Sequence, residues 1–226
     1  MSKKQLNWKE VGRVFSVFLN LFAVIRDTFT SQGIGLEIIG WVTGEGKDKF
    51  VEEFLKPLGE QFLAAQRVIV VDENTIRVNL DAPPMLPFDG ATVETNKGGG
   101  WVTVQKRADG LYVDDRKVIL HRSERQQNGK VIQGYELRDE VTNLPVLHPN
   151  IMDALYEHTH LIPKDWKQDE NGNTIFTYFW AVTYRSSHGL VFVRCLYWDG
   201  GAWDRYCRWL DDGWSGLSPA AVLASN

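Results

Sequence analysis

Cysteine is scarce in this sequence. Only Cys195 and Cys207 occur among 226 residues, which excludes the multiple disulfides that hold small secreted domains together. The two cysteines fall on neighbouring predicted strands, so a single disulfide between them stays open as an alternative. Free cysteine, however, is usually a small buried hydrophobic side chain. We therefore predict two free thiols, a reducing compartment and a cytoplasmic location.

An excess of positive charge is also missing. The chain has 25 Lys and Arg residues against 29 Asp and Glu residues, a formal net charge of −4. Proteins whose main function is to bind nucleic acid need clustered, uncompensated Lys and Arg side chains to displace counterions from the phosphates. Charge therefore disfavours a nucleic-acid partner without excluding one.

Common catalytic and cofactor motifs are absent. The sequence has no H-E-x-x-H, no C-x-x-C, no G-x-S-x-G and no G-x-G-x-x-G after a strand. The glycine-rich stretch 40–47 (GWVTGEGK) has the wrong glycine spacing for a phosphate-binding loop, and Asp48 stands where Ser or Thr would bind Mg²⁺. These absences favour a protein that is not an enzyme and needs no cofactor.

Long hydrophobic runs are missing too. The stretch 14–25 (VFSVFLNLFAVI) is shorter than the ~20 apolar residues that span a bilayer. Lys3 and Lys4 precede it as in a signal peptide, but Glu10 lies in that flank and no small-x-small cleavage site follows. We expect no integral membrane span and interpret the stretch as a buried core helix. A dimer interface and a membrane-associated helix remain alternatives.

Hydrophobic periodicity divides the chain into two parts. Residues 1–82 form a helix-rich N-terminal α+β part, in which apolar side chains recur at helical spacing before two strand-like runs. The predicted helices are 8–28 and 48–65, and the predicted strands are 67–71 and 75–80. A stretch rich in proline and then glycine, which begins PPMLPFDG, separates this part from the rest.

Residues 83–226 are predicted to be β-rich. Short strands alternate with turn residues, and Asn128-Gly129 is the strongest hairpin signal. One helix is inserted at about 149–158, where Pro149 fits the first helical position. The chain therefore belongs to the α+β class: a helical N-terminal part with a few strands, then a β-rich part ending in a Trp-rich antiparallel meander. The predicted strands of this part are 101–107, 111–113, 116–121, 175–185, 190–198 and 203–210.

Tryptophan is concentrated in the predicted meander. Five of the nine tryptophans lie between residues 180 and 214. Strand alternation puts Trp203, Arg205 and Trp209 on one face of the last hairpin and Arg208 on the other. Together with Trp198 these residues are the candidate binding site, because exposed aromatic and arginine side chains dominate interface hot spots. The alternative is that the tryptophans fill the core of a small sheet.

Three histidines lie close together in the sequence. His148, His158 and His160 fall within thirteen residues, and imidazole is a common zinc ligand. The helix predicted at 149–158 leaves His160 at an undefined angle, and no motif supports the set. They are therefore weak candidates for a metal site.

The C-terminal two thirds resembles a known group. The segments HPNIMDALYEHTHLIPKDWK and FWAVTYRSSHGLVFVRCLYWDGGAWDRYCRWLDDGWSGLSPAAVLAS, with LYVDDRKVILHRSERQ and GYELRDE, are similar to uncharacterised proteins of candidate-phylum bacteria. The resemblance covers roughly residues 86–226, and GWVTGEGK is similar to some members. It implies a bacterial, cytoplasmic setting and transfers no catalytic residue.

These observations favour a non-enzymatic binding protein. The first expectation is protein–protein interaction, with a partner or by self-association, through the aromatic and arginine surface of the meander. The first alternative is binding of single-stranded nucleic acid by the same surface. The second is a metal-dependent hydrolase around His148, His158 and His160.

Overall fold

The chain divides into two compact units, Met1–Gln61 and Phe62–Asn226. A computed structural model describes residues 23–24, 26–28, 30–33, 40–41, 43–57 and 66–225. In the first unit a short helix, α1 (Lys47–Phe50), leads directly into a π-helical turn, Val51–Leu55. Most of the predicted helix 8–28, all of the segment 14–25 except residues 23 and 24, and the predicted helix 48–65 beyond residue 57 lie outside the described residues.

The second unit is β-rich with few helices, which agrees with the predicted α+β class. Its helices are α2 (Gly134–Val141) and α3 (Pro149–Glu157), with short 3₁₀ turns at Glu124–Gln126, Thr159–Leu161 and Lys164–Trp166. Its strands are β1 (Val68–Asp72), β2 (Thr75–Asn79), β3 (Thr92–Asn96), β4 (Trp101–Arg107), β5 (Gly110–Val113), β6 (Arg116–His121), β7 (Ile132–Gln133), β8 (Phe176–Tyr178), β9 (Val182–Arg185), β10 (Val191–Trp198), β11 (Trp203–Trp209), β12 (Gly213–Trp214) and β13 (Ala220–Leu223).

Eleven of these strands form one sheet. Its order is β1-β2-β4-β5-β6-β13-β8-β10-β9-β3, and β11 pairs with β10. Strand β10 has β8 and then β9 along one side and β11 along the other. Strand β13 lies between β6, to which it is antiparallel, and β8, to which it is parallel. The predicted boundary near residue 83 therefore falls inside this sheet, because β1 and β2 belong to it.

Two sequence predictions in this unit need correction. Asn128 and Gly129 form a tight turn, with φ of 55° and 75° and a bond from Lys130 N to Gln127 O, but they join no hairpin. A 3₁₀ turn precedes them, and β7 beyond them pairs with β12. The C-terminal part is also more than a simple meander. Its first predicted strand breaks into β8 and β9, and β13 is inserted beside β8.

Helices cover both faces of the sheet around β10. Leu155 of α3 shares a buried cluster with Leu196 and Trp203, and we call this side the α3 face. Leu137 of α2 shares a second cluster with Val193, and we call this side the α2 face. The two sets of strand residues alternate along the chain, as the pleat of a strand requires. Side chains of the candidate binding site are therefore divided between two differently covered faces.

Gly134, the first residue of α2, is packed too closely to accept a side chain. A Cβ there would lie 2.4 Å from Trp214 Nε1 and 2.6 Å from Leu210 O, and both neighbours are buried. We expect Gly134→Ala to lower the free energy of unfolding by about 1–3 kcal/mol, the usual cost of overpacking. Urea unfolding followed by circular dichroism measures this. In the matched control, Gly201→Ala, the new Cβ meets nothing within 4 Å, and equal midpoints for the two variants would contradict the prediction.

Candidate functional site

The five residues predicted to form a binding surface all lie on β10 and β11. The register of this pair puts Trp198, Trp203, Arg205 and Trp209 on the α3 face and Arg208 on the α2 face. The structure thus brings four of them to one side of the sheet and separates Arg208 from them.

Burial divides the predicted aromatic platform. Trp203 is only 7 % exposed and belongs to the core under α3, so the predicted contact role does not extend to it. Trp198 is half-buried, packs edge-on against Trp203 at 5.6 Å between ring centroids, and has Lys167 Nζ 3.3 Å from its own centroid. These two tryptophans follow the alternative interpretation, in which large aromatic residues fill the core of the sheet.

Trp209 is the exposed aromatic residue of the predicted set. Its side chain is 46 % exposed and packs edge-on against Phe192, which packs in the same way against Phe88. Met85 and Leu86, at 39 % and 52 % exposed, precede Phe88 in the same segment. We call these five residues the apolar rim of β11.

Arg205 is held inward by a buried charge. Asp153 of α3 accepts from Arg194 Nη1 at 2.8 Å, from Arg194 Nη2 at 2.6 Å and from Arg205 Nη1 at 2.8 Å. Arg194 also donates to Met85 O at 3.1 Å, and the Arg205 guanidinium lies 4.0 Å from the ring centroid of Tyr156. The side chains of Arg194 and Asp153 are almost fully buried, and that of Arg205 is 27 % exposed. This cluster fixes the segment 85–88 to the sheet beside β11.

Arg208 is also paired. On the α2 face its Nε lies 3.4 Å from Asp212 Oδ2, and its guanidinium lies 5.6 Å from the ring centroid of Trp214. Each arginine of β11 therefore already has a carboxylate partner, which leaves little uncompensated positive charge along this strand for phosphate groups.

The backbone of β11 is hydrogen-bonded along one edge. Leu210 N donates to Val191 O at 3.0 Å, and Asp199 N donates to Ala202 O at 2.8 Å. Bonding pairs recur at every second residue of an antiparallel ladder. The even-numbered residues of β11 therefore bond to β10, and the backbone groups of its odd-numbered residues point away from it.

The outer edge of β11 pairs with no other strand among residues 66–225. Two of its outward backbone groups are already hydrogen-bonded to residues nearby in the sequence. Arg205 N donates to Asp204 Oδ1 at 2.7 Å, and Trp209 O accepts from Asp212 N at 3.3 Å. Tyr206, at the middle of the strand, is 58 % exposed. The outer edge is thus a partly covered row of backbone donors and acceptors next to exposed aromatic side chains.

Both cysteines are free thiols. Cys195 pairs with Tyr206 and Cys207 pairs with Arg194, so the thiols lie on opposite faces of the sheet and cannot form a disulfide. Burial raises the pKa of Cys195 to about 12 and also raises the pKa of Cys207.

The three histidines have separate roles. His148 caps α3: its Nδ1 accepts from Asn150 N at 3.1 Å, and its Nε2 lies 3.0 Å from Asn96 Oδ1. Burial lowers the pKa of His148 to about 4. His160 Nε2 bonds to Glu73 O, and the His158 and His160 rings meet edge-on at 6.1 Å between centroids. In the part of the chain that the structure describes, no three His, Cys, Asp or Glu side chains are grouped to hold a metal ion.

A polar groove of about 830 Å³ lies elsewhere, lined by residues of 122–129, 165–171 and 215–217. Two of its polar side chains, Gln126 and Arg122, bond to the backbone of the facing loop. Gln126 Nε2 donates to Ser215 O and Ser218 O, and Arg122 Nε donates to Gly216 O. These three bonds hold together the loops that border the groove.

Sequence reasoning missed Asp153, Arg194 and the segment 85–88. A signal for the first two was present, because each is a single charge inside an apolar run, NIMDALY and VFVRCLY. Charges in such positions are usually paired. The segment 85–88 lies in the stretch that the sequence pattern predicts to separate the N-terminal part from the β-rich part, and nothing in that pattern places it beside the candidate site.

Comparisons with known proteins add no identification. No protein-family model, no curated protein and no solved structure matches this chain. The resemblance to the bacterial group stays a prediction. Across residues 66–225 and the described stretches before them, no helix combines the length and hydrophobicity that crossing a bilayer requires.

Proposed function

We propose that this protein is a non-enzymatic protein-binding module that takes up an extended segment of a partner as an additional strand along β11. The observation that carries the proposal is the outer edge of β11, where outward backbone groups lie beside exposed Tyr206 and Trp209. An exposed edge strand is a template for another chain, and main-chain hydrogen bonds supply much of the affinity in strand addition.

The surroundings of β11 specify the partner's side-chain pattern. On the α3 face the added strand would meet the apolar rim, including Trp209, Met85 and Leu86. On the α2 face it would meet Asp204, Tyr206 and Arg208. Side chains alternate between faces along a strand, so the proposed partner segment has mainly apolar residues at every second position and polar residues between them.

The two alternatives have weaker support. Binding of single-stranded nucleic acid needs free cationic groups, and both arginines of β11 are paired with carboxylates. A hydrolase around the three histidines would need them to converge, whereas His148 bonds to Asn96 and His160 bonds to Glu73. Two free thiols support a reducing compartment, and we propose the bacterial cytoplasm.

The test is a selection of random peptides displayed on phage against the full chain, followed by fluorescence anisotropy of the selected peptides at low and high salt. We expect peptides with alternating apolar residues whose binding changes little with salt. Cys207→Pro should weaken their binding by about tenfold or more, because it removes an outward N–H without removing a bond to β10.

The matched control is Cys207→Ser, which changes the same side chain and keeps the backbone donor, and it should bind like the wild type. Two outcomes contradict the proposal: no peptide is selected, or the selected peptides bind Cys207→Pro as tightly as the wild type. Affinity for single-stranded oligonucleotides that falls steeply as salt rises would favour the nucleic-acid alternative instead.

A further inference from the structure

The sequence of β11 is complementary to itself. The strand reads W-D-R-Y-C-R-W, with Tyr206 at its centre. If a second copy of β11 lies antiparallel beside it with the two Tyr206 residues opposed, Asp204 faces Arg208 and Trp203 faces Trp209. The carboxylate and the guanidinium therefore face each other twice, once on each side of the central tyrosine. A two-fold symmetric pair requires this kind of self-complementary surface.

We infer that the extended segment taken up by β11 is β11 of a second copy of this chain, so that the sheets of two copies continue across a two-fold axis at Tyr206. This inference rests on the proposed function, because it identifies the partner of the same edge. The inferred dimer has one register, in which Tyr206 faces Tyr206 and the residue numbers of every opposed pair add up to 412.

The backbone of β11 supports this register. The outward groups belong to the odd-numbered residues, and the register opposes odd with odd: Trp203 with Trp209 and Arg205 with Cys207. Opposed residues of this kind exchange both main-chain bonds. Arg205 N, now bonded to the Asp204 carboxylate, would donate instead to Cys207 O of the second copy. Asp204 Oδ1 would then be free to face Arg208 of that copy, while Oδ2 keeps the bond that it accepts from Tyr197 Oη at 3.3 Å.

The side chains favour this register over the neighbouring ones. A shift of one residue would place odd-numbered residues of one copy, whose backbone groups point outward, opposite even-numbered residues of the other copy, whose backbone groups point toward β10. A shift of two residues toward the N-terminus would place Arg205 opposite itself, and a shift of four residues toward the C-terminus would place Arg208 opposite itself. Directly opposed like charges destabilise a sheet. A shift of two residues toward the C-terminus would place Cys207 opposite itself and would lose both Asp204–Arg208 pairs. In the inferred register Asp204 and Arg208 occupy a non-hydrogen-bonded pair, where side chains approach most closely.

The other two edge strands of the sheet, β3 and β1, lack these properties. Strand β3 has an irregular register between Val93 and Thr95, and its sequence TVETN contains one charged residue, Glu94, and no cation to face it. Strand β1 has an irregular register between Val70 and Asp72, and such bulges blunt an edge against pairing. Its sequence VIVVD also offers no opposite charges to itself. Among the edges of the described sheet, β11 is therefore the one whose charges fit a second copy.

Charge reversal of the full chain tests the inference. Sedimentation velocity over a concentration series should show a reversible dimer for the wild type. Asp204→Arg and Arg208→Asp should each weaken it by about tenfold or more, because each substitution creates two like-charge pairs. A mixture of the two variants should dimerise like the wild type, because every opposed pair again carries opposite charges.

A cross-link tests the register. In a Cys195→Ala, Cys207→Ser background, Tyr206→Cys places the new thiols opposite each other on the axis, and oxidised glutathione should convert the protein to a covalent dimer on a non-reducing gel. Removing Cys195 is necessary because it pairs with residue 206 within one chain and would compete for the new thiol. Asp204→Cys in the same background is the matched control. Its two thiols would be separated by about 13 Å, four residues along the strand, and should give no dimer. Circular dichroism verifies that every variant is folded.

Three results would overturn the inference: a wild type that stays monomeric, a dimer indifferent to both charge reversals, or efficient cross-linking only in the Asp204→Cys control. The peptide selection separates this failure from failure of the proposed function. A monomeric wild type with peptides sensitive to Cys207→Pro would retain the strand-addition function and exclude the second copy as its partner.

Discussion

Asp153→Ala is expected to lower the free energy of unfolding by about 3–5 kcal/mol, the cost of leaving a buried ion pair without one partner. Asp153 is the shared acceptor of Arg194 and Arg205. Without it, Arg194 stays almost fully buried beside neutral acceptors such as Met85 O, and a buried charge that lacks a counter-charge is strongly unfavourable. Urea unfolding at neutral pH, with wild type and variant compared at equal ionic strength, measures the difference.

The matched control is the same substitution at an exposed helical carboxylate. Asp139 of α2 has a side chain that is 77 % exposed and lies 3.8 Å from Arg138. We expect Asp139→Ala to change stability by about 0.5 kcal/mol or less, as is usual for an exposed pair. Similar losses for the two variants would contradict the assigned role of Asp153.

A double substitution separates charge from packing. Asp153→Leu combined with Arg194→Met replaces the buried pair by apolar side chains of similar length. We expect the double variant to be more stable than Asp153→Leu alone, since no buried arginine then lacks its carboxylate. Strictly additive losses would show that the two residues contribute independently.

The second large effect is a loss of stability in acid that depends on His148. Burial lowers the pKa of this histidine from 6.5 to about 4 in the folded protein, and the opposing effect of Asp153 is smaller. The unfolded chain therefore binds the proton first. The contribution of His148 is fully present above pH 6.5, falls as the pH falls below that value, and reaches its lowest level near pH 4. The total loss is about 3 kcal/mol for a shift of this size.

His148→Asn isolates this contribution from the other titrating groups. Asparagine at the N-cap keeps an acceptor for Asn150 N but does not titrate. Urea unfolding of both proteins at several pH values should give a difference curve that is flat above pH 7 and slopes between pH 6.5 and about 4. A wild type and a variant with parallel pH profiles would contradict the buried neutral state of His148.

The sequence predicted local structure well. Strand β6 occupies the predicted 116–121, β4 the predicted 101–107, and α3 begins at Pro149 with His148 as its cap. These features depend on alternation, turn residues and capping within a few positions. The faces of β11 were likewise predictable, because the period of a strand is two whatever packs against it.

What escaped prediction depends on contacts between distant residues. Nothing near Trp203 or Trp209 in the sequence distinguishes the buried tryptophan from the exposed one, because α3 covers only the first. The pairing of Asp153 with Arg194 and Arg205 joins a helix to two strands some forty and fifty positions later. Likewise, α2 was not predicted, since its apolar face becomes evident only where β7 and β12 meet it.

The position of β13 has a consequence for the time course of folding. This strand follows all the others in chain order, yet it lies inside the sheet, bonded to β6 on one side and to β8 on the other. During synthesis the strands on both sides leave the ribosome before the strand that joins them, and each group has an open edge until then. Such long-range pairing forms slowly. Both groups of strands are therefore synthesised before β13, the strand that joins them into one sheet.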